Sequence, residues 1–291
     1  MKVALVINRD SGRRFKKSPV SRLKQALVES NEVSEFLAST DEELDKVGQL
    51  IRNRFEIVII CGGDGTVSRL SHHLVNSQTS IVIFPIGSGN DLANHLNMAQ
   101  NVDKLVTDIK NSKKLLINTI EINGGKYHAL TIACFAFEAR VNRLATNLPR
   151  FLGGIKYTLA TFICLLGRQY ENLEIFGPDI QEKGSYSLAI LANSPSFGGG
   201  MRISDKAHVN SDHLYLILVS KVNKLKLIYL FLLLLAGKHY NRKEFRQFPI
   251  QSLEVRSMGS KLFPQADGDS LVLDDFKARI LKDSLSIIEC R

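Results

Sequence analysis

Two glycine turns, Gly62-Gly63-Asp64-Gly65-Thr66 and Gly87-Ser88-Gly89-Asn90-Asp91, constrain this chain more than any other feature. Each follows a short apolar run, Phe55 to Cys61 or Ile81 to Pro85, and each opens a stretch with helical spacing. Runs that are apolar throughout, rather than alternating, suit strands buried on both faces. Strand and helix taking turns in this way specify a parallel sheet covered by helices. A turn at the carboxyl edge of such a sheet aims backbone N–H groups and the positive end of a helix at one spot, where phosphates bind. Glycine suits that position because a Cβ would hold the ligand off the backbone. Neither turn is a G-x-x-x-x-G-K-[ST] loop or a G-x-G-x-x-G fingerprint. A lone glycine turn is more often structural. Two of them, at equivalent junctions one strand apart, favour binding.

The flanking pattern agrees. Lys2 to Ile7 reads as a buried strand, ending in the polar turn Asn8-Arg9-Asp10-Ser11-Gly12. Val20, Leu23, Leu27 and Val28 are spaced for a helix over Pro19 to Ser30, and Ser34 to Ser39 suits a second strand. Thr40 is an N-cap and Glu43 completes its capping box, for a helix to about Asn53. Helical residues resume from Asp91. Beyond about residue 118 the texture becomes β-rich. Ile117 to Ile122 and Lys126 to Cys134 flank the hairpin signal Asn123-Gly124-Gly125. Further β-like runs are Ser187 to Ala192, Leu214 to Ser220, Ser252 to Ser257 and Ser286 to Cys290, with a helical segment from about Gly153 to Gln169. The fold class expected is α/β plus mainly-β. Residues 1–120 form a parallel-sheet nucleotide-binding domain, and residues 121–291 an antiparallel β-sandwich-like domain whose final segment packs back on the first.

Net charge is +9, which favours anionic partners without choosing among phosphate ligands, acidic membranes and nucleic acid. No nucleic-acid recognition motif or aromatic-interleaved basic strand accompanies it. The four cysteines are scattered, with no C-x-x-C pair, zinc spacing or disulfide framework, as reduced thiols in a cytoplasm would be. The apolar run at Met1 to Asn8 is too short and too quickly broken for a signal peptide. Leu227 to Ala236 is the longest apolar stretch, far below the ~20 residues a membrane-spanning helix needs. Lys238 to Arg246 follows it as a strongly basic segment. The pair reads either as a buried helix with a solvated loop, or as a face that docks on an anionic bilayer. His72 and His73 match no metal spacing and read as surface residues.

These residues carry a resemblance. Gly62 to Thr66 resembles the GGDGT signature shared by diacylglycerol-kinase-like lipid kinases, NAD kinases and phosphofructokinases. Phe84-Pro85-Ile86-Gly87-Ser88-Gly89-Asn90-Asp91-Leu92-Ala93 resembles the P-x-G-T-G-N-D-[FL]-A element of the lipid-kinase branch. Asn8 to Gly12 is similar to that branch's N-P-x-[SA]-G turn. Asn193 with Gly198-Gly199-Gly200 is similar to its asparagine and triple-glycine stretch, and Asp267-Gly268-Asp269 to its D-G-E turn.

The resemblance implies an ATP-dependent kinase acting on a hydroxyl of a diacylglycerol-like or sphingoid lipid. By that resemblance ATP binds along Gly62, Gly63, Asp64, Gly65, Thr66, Val67 and Ser68. Asn8, Thr40, Ser88, Gly89, Asn90 and Asp91 complete the nucleotide site. Asp269 stands where the family has a catalytic glutamate, as general base. Asp64 either braces its loop, helps hold Mg²⁺, or acts as base. Asp212 is the candidate ligand of a structural Mg²⁺, although ungapped alignment puts Ser211 at that place. Departures include Arg9 for proline, Ser68-Arg69 for Asn-Glu, and Asp269, one methylene shorter than glutamate. The implied enzyme is cytoplasmic and works transiently at the membrane surface on a lipid; its oligomeric state is open, a homodimer being one option. The alternatives are a soluble-substrate kinase of the NAD kinase type, or a catalytically impaired nucleotide- or lipid-binding relative.

Overall fold

Uninterrupted apolar strands need cover on both faces, and the helices that alternate with them supply it. A computed structural model describes residues 1–11, 17–98, 101–111, 113–149, 152, 159–160, 163–164, 170–259, 262–273 and 275–290. The chain divides into two compact units, Met1–Asn118 with Lys282–Arg291, and Thr119–Leu281.

The first unit contains β1 (Lys2–Asn8), α1 (Lys17–Val28), β2 (Glu32–Ala38), α2 (Asp41–Ile51), β3 (Ile57–Gly62), α3 (Asp64–Leu74), β4 (Ser80–Pro85), α4 (Asp91–His95) and α5 (Val102–Asn111). Its strands lie in the order β2-β1-β3-β4, all parallel. Every residue of β3 is buried. Asn8 lies opposite Ala38, Ile7 opposite Cys61, and Gly62 opposite Pro85, so four strands end along one edge. The expected capping box is present: Thr40 Oγ1 accepts Glu43 N–H, and Glu43 accepts Thr40 N–H. Those backbone bonds, from Ser39 and then Thr40, hold the Glu43 carboxyl below its ordinary pKa. Helical residues resume at Asp91 as expected, in two helices with Asn97, whose φ is +54°, between them.

The second unit is antiparallel. It takes in β5 (Lys114–Ile122) from Thr119 on, then β6 (Tyr127–Ala129), β7 (Ile132–Cys134), α6 (Phe137–Asn147), β8 (Glu171–Gly177), β9 (Ile180–Ala192), β10 (Ser196–Phe197) and β11 (Met201–Arg202). After these come β12 (Leu214–Ser220), α7 (Lys224–Leu235), β13 (Phe245–Ile250), β14 (Ser252–Ser257), β15 (Gln265–Ala266), β16 (Asp269–Ser270) and the long β17 (Phe276–Ile288). The strand order is β16-β15-β7-β9-β8-β14-β17, and β12 pairs with both β9 and β13. Phe135 and Phe276 meet edge to face, 4.5 Å apart, in a core of buried aliphatic residues. The hairpin at Asn123 to Gly125 forms with positive φ at all three residues. The run Lys126 to Cys134 is two strands rather than one, because the Asp267 carboxylate draws off the N–H groups of Leu130, Thr131 and Ile132. The helix expected over residues 153–169 lies largely outside the described residues. Among those described, no helix is long and apolar enough to cross a membrane.

Candidate functional site

Gly62 ends β3, and α3 starts at Asp64 with Gly63 as an N-cap that has no side chain to accept from the N–H groups of the first turn. Glycine at 62 is required by crowding, since a Cβ there would sit 2.6 Å from Thr66 Cβ. The two turns touch backbone to backbone: a Cβ on Gly87 would fall 2.5 Å from Gly63 Cα. Asp64 locks them together. Its Oδ2 accepts the N–H of Asn90 at 2.7 Å and its Oδ1 that of Asp91 at 2.6 Å. These are charge-assisted bonds at the start of α4, where a carboxylate is favoured. Asn90 has φ +57° and closes the second turn on itself, accepting from Gly87 N–H at 3.0 Å and donating to Gly87 O at 2.9 Å. The bracing role considered for Asp64 is therefore visible in the geometry.

A second set of bonds ties in the turn after β1. Asn8 Nδ2 donates to Thr66 Oγ1 at 2.8 Å, and Gly63 N–H donates to Ser11 Oγ at 3.3 Å. Ser11 and Thr66 hydroxyls lie 3.3 Å apart. Gly65 differs from its neighbours. A Cβ there would meet nothing within 4 Å, so its exposed backbone borders open space at the start of α3. An uncapped helix start beside bare backbone fits a phosphate chain. Val67 and Ser68 continue α3, and Ser88 and Gly89 form the rim of the second turn. Thr40 follows β2 at the same sheet edge, exposed, with its hydroxyl engaged as the cap of α2.

The histidine pair departs from expectation. His73 is largely buried, with Nε2 3.0 Å from Asp45 Oδ1, and burial pushes the His72 pKa down. The cause is close packing of α2 on α3: a Cβ on Gly48 would come within 2.3 Å of the His73 ring. Arg69 completes the contact with two bonds to Asp45, at 3.1 and 2.8 Å.

In the second unit Asp267 and Gly268 form the hairpin turn between β15 and β16, both with positive φ. Asp267 also accepts from Leu130 N–H at 2.7 Å, Thr131 N–H at 2.9 Å, Thr131 hydroxyl at 2.5 Å and Ile132 N–H at 3.1 Å. Asn193 reinforces the same loop, donating from Nδ2 to Leu130 O at 2.7 Å. Asp269, the first residue after the turn, is exposed on β16. This anchoring of Asp267 escapes sequence reading because its partners lie more than a hundred residues away. Asp212 is exposed on the loop before β12, beside Ser211, whose hydroxyl donates to His213 O. Among the described residues, no three His, Cys, Asp or Glu side chains form a group that could hold a metal.

With this geometry in view, the diacylglycerol kinase catalytic domain model matches residues 2–122, and the YegS C-terminal NAD kinase beta sandwich-like domain model matches residues 131–289. The chain belongs to the family of the second model, which matches more than half of it. The first match spans both glycine turns; the second spans the Asp267-Gly268-Asp269 hairpin. A Pectobacterium atrosepticum protein named "Probable lipid kinase YegS-like" is 26% identical over 179 residues, 60% of each chain. A Yersinia pestis protein of the same name is 24% identical over 168 residues, 56% of each. The chain thus matches about 60% or less of the length of these curated relatives. A Bacillus anthracis str. Sterne crystal structure assigned as a diacylglycerol kinase has TM-score 0.82 at 18% identity, covering 99% of this chain and 97% of that one. An Archaeoglobus fulgidus NAD kinase in complex with ATP has TM-score 0.59 at 14% identity, covering 100% and 94%. At these identities the structures speak for the fold alone.

Proposed function

We propose that this chain is an ATP-dependent lipid kinase of the diacylglycerol kinase type, phosphorylating a hydroxyl of a diacylglycerol-like or sphingoid lipid. One observation carries the reading: Asp64 clamps two glycine turns together at the carboxyl edge of a parallel sheet, leaving the uncapped start of α3 and the bare Gly65 backbone open. Phosphoryl transfer asks the protein chiefly to position the nucleotide and stabilise its charge. Gly62 to Ser68 and Ser88 to Asp91 would cradle the phosphates, Asn8 would hold Thr66 in place, and Thr40 would meet the nucleotide further along the edge. Magnesium enters most simply with ATP, since it keeps water and phosphate ligands and needs few protein carboxylates. Asp212 stands as a separate candidate for a structural ion. Asp269 would take the proton of the attacking lipid hydroxyl.

Purified protein incubated with labelled ATP, Mg²⁺ and a panel of lipids tests this, with products resolved by thin-layer chromatography. Label is expected in a lipid carrying a free hydroxyl. Label appearing in NAD alone would instead support the second reading, a soluble-substrate kinase, which the fold likeness to NAD kinases motivates. No label in any acceptor, with ATP still bound, would point to an impaired relative.

A further inference from the structure

Helix α7 is apolar all round, yet only one side of it packs inward. Leu227 and Leu230 are buried, Leu227 against Val141 and Ala145 of α6. The opposite stripe faces out, with Leu225 80%, Tyr229 41%, Leu232 53% and Leu235 50% exposed. Residues 225, 229 and 232 follow the i, i+4, i+7 spacing of a single helix face. A contiguous exposed apolar stripe of this kind marks a surface that something covers.

The charges around it say what. From Lys221 to Lys243 the sequence carries six Lys and Arg and no Asp or Glu. Lys224 and Lys226 flank the stripe at its start, and Lys238, Arg242 and Lys243 follow its end. Two of these cations reach over the stripe itself: Lys226 Nζ, which also pairs with Glu244 at 2.9 Å, lies 5.4 Å and Arg242 Cζ 5.6 Å from the Tyr229 ring centre. A tyrosine ringed by cations, on an apolar face with a basic rim, is what a helix lying in the plane of a headgroup layer presents. At 12 residues the helix is too short to span a bilayer. A two-fold contact between copies of this face would set one basic rim against the other.

We propose that α7 is a docking element that beds its Leu225-Tyr229-Leu232 face into an anionic bilayer surface, with the basic rim on the headgroups. This goes beyond the kinase reading and needs no nucleotide. The chain has no tryptophan, so Leu232→Trp supplies a single reporter. The whole protein is mixed with vesicles of phosphatidylcholine, with or without phosphatidylglycerol, without ATP or diacylglycerol. The expected result is a blue-shifted indole emission and co-sedimentation only with the anionic vesicles, both reversed by salt. Leu225→Ser with Leu232→Ser, followed by co-sedimentation alone, should weaken partitioning at least about tenfold. Arg242→Gln with Lys243→Gln, at exposed positions and therefore with an unchanged melting temperature, should weaken it about as much. Equal partitioning by either double variant overturns the proposal. So does a blue shift that tracks protein concentration without vesicles and a doubled mass in sedimentation, which would make a second copy the occupant. Failure here leaves the lipid-panel kinase assay untouched when its lipids are supplied in detergent micelles, so the two readings fall separately.

Discussion

Individual side chains in the first unit separate into those that shape the nucleotide turns and those that leave room. Gly87→Ala pushes a Cβ to 2.5 Å from Gly63 Cα, where only backbone can give way, so a loss of about 1–3 kcal/mol is expected in denaturant unfolding. Gly65→Ala meets nothing and adds a better helix former, so stability should hold or rise by up to about 1 kcal/mol. ATP affinity of the same variant, measured calorimetrically, should nevertheless fall about tenfold, as expected for one lost charge-assisted bond to a phosphate. Unchanged affinity would place the phosphates elsewhere. Asp64→Asn replaces one of two acceptors by a donor facing an N–H, costing about 1–3 kcal/mol and loosening both turns. In the second unit the two aspartates of one hairpin should part company. Asp269→Asn is expected to abolish turnover while folding and ATP binding persist. Asp267→Asn should lower the melting temperature first, because four donors converge on that carboxylate.

Pairs of strands carry a second kind of evidence. Glu121 on β5 accepts two bonds from Arg279 on β17, both 2.8 Å, and Arg279 holds its carboxyl below the ordinary pKa. A depressed folded pKa means the stabilisation is complete above the unfolded value of about 4.3 and is lost as pH falls through the folded one. Glu121→Gln should therefore cost about 1 kcal/mol near neutrality, modest because Arg279 is 61% exposed, and almost nothing in strong acid. Chemical unfolding at several pH values checks the convergence. Most elements of the first unit were legible, since β1, β3 and β4 are uniformly apolar and α2 carries its own capping box. The glycine turns were legible for the same reason, as local chemistry at strand ends. What sequence did not disclose is long-range. The split of β6 from β7 depends on Asp267, and the burial of His73 depends on the absence of a side chain at Gly48. The reach of β17 back to Phe276 was missed because Lys277, Arg279 and Lys282 interrupt the apolar pattern on its exposed face.

Across the whole molecule the chain leaves the first unit once and returns to it at the end. The last residues of β17 run parallel to β4, pairing Ser286 with Ser80 and Ile287 with Ile81. Around that pairing Asn76 N–H donates to Ser284 O at 2.7 Å, the Ser80 and Ser286 hydroxyls meet at 2.9 Å, and Glu289 pairs with Lys113 at 2.6 Å. Leu285, Ile287, Ile288 and Cys290 are buried there, and burial raises the Cys290 thiol to about 12. A parallel edge strand stripped of such a neighbour exposes a row of unpaired backbone groups beside an apolar face. Truncation after Leu281 should therefore damage the nucleotide-binding unit, although every residue removed lies far from the glycine turns in sequence. The truncated protein is expected to aggregate or to lose ATP binding, with hydrogen exchange rising first in β4. Replacing only Ser286 by alanine should cost about 1 kcal/mol and keep the fold, since one hydroxyl pair is lost while the strand stays. If the truncated chain instead binds ATP with normal affinity and protects β4 from exchange, the closing strand is dispensable and the first unit is complete within residues 1–118.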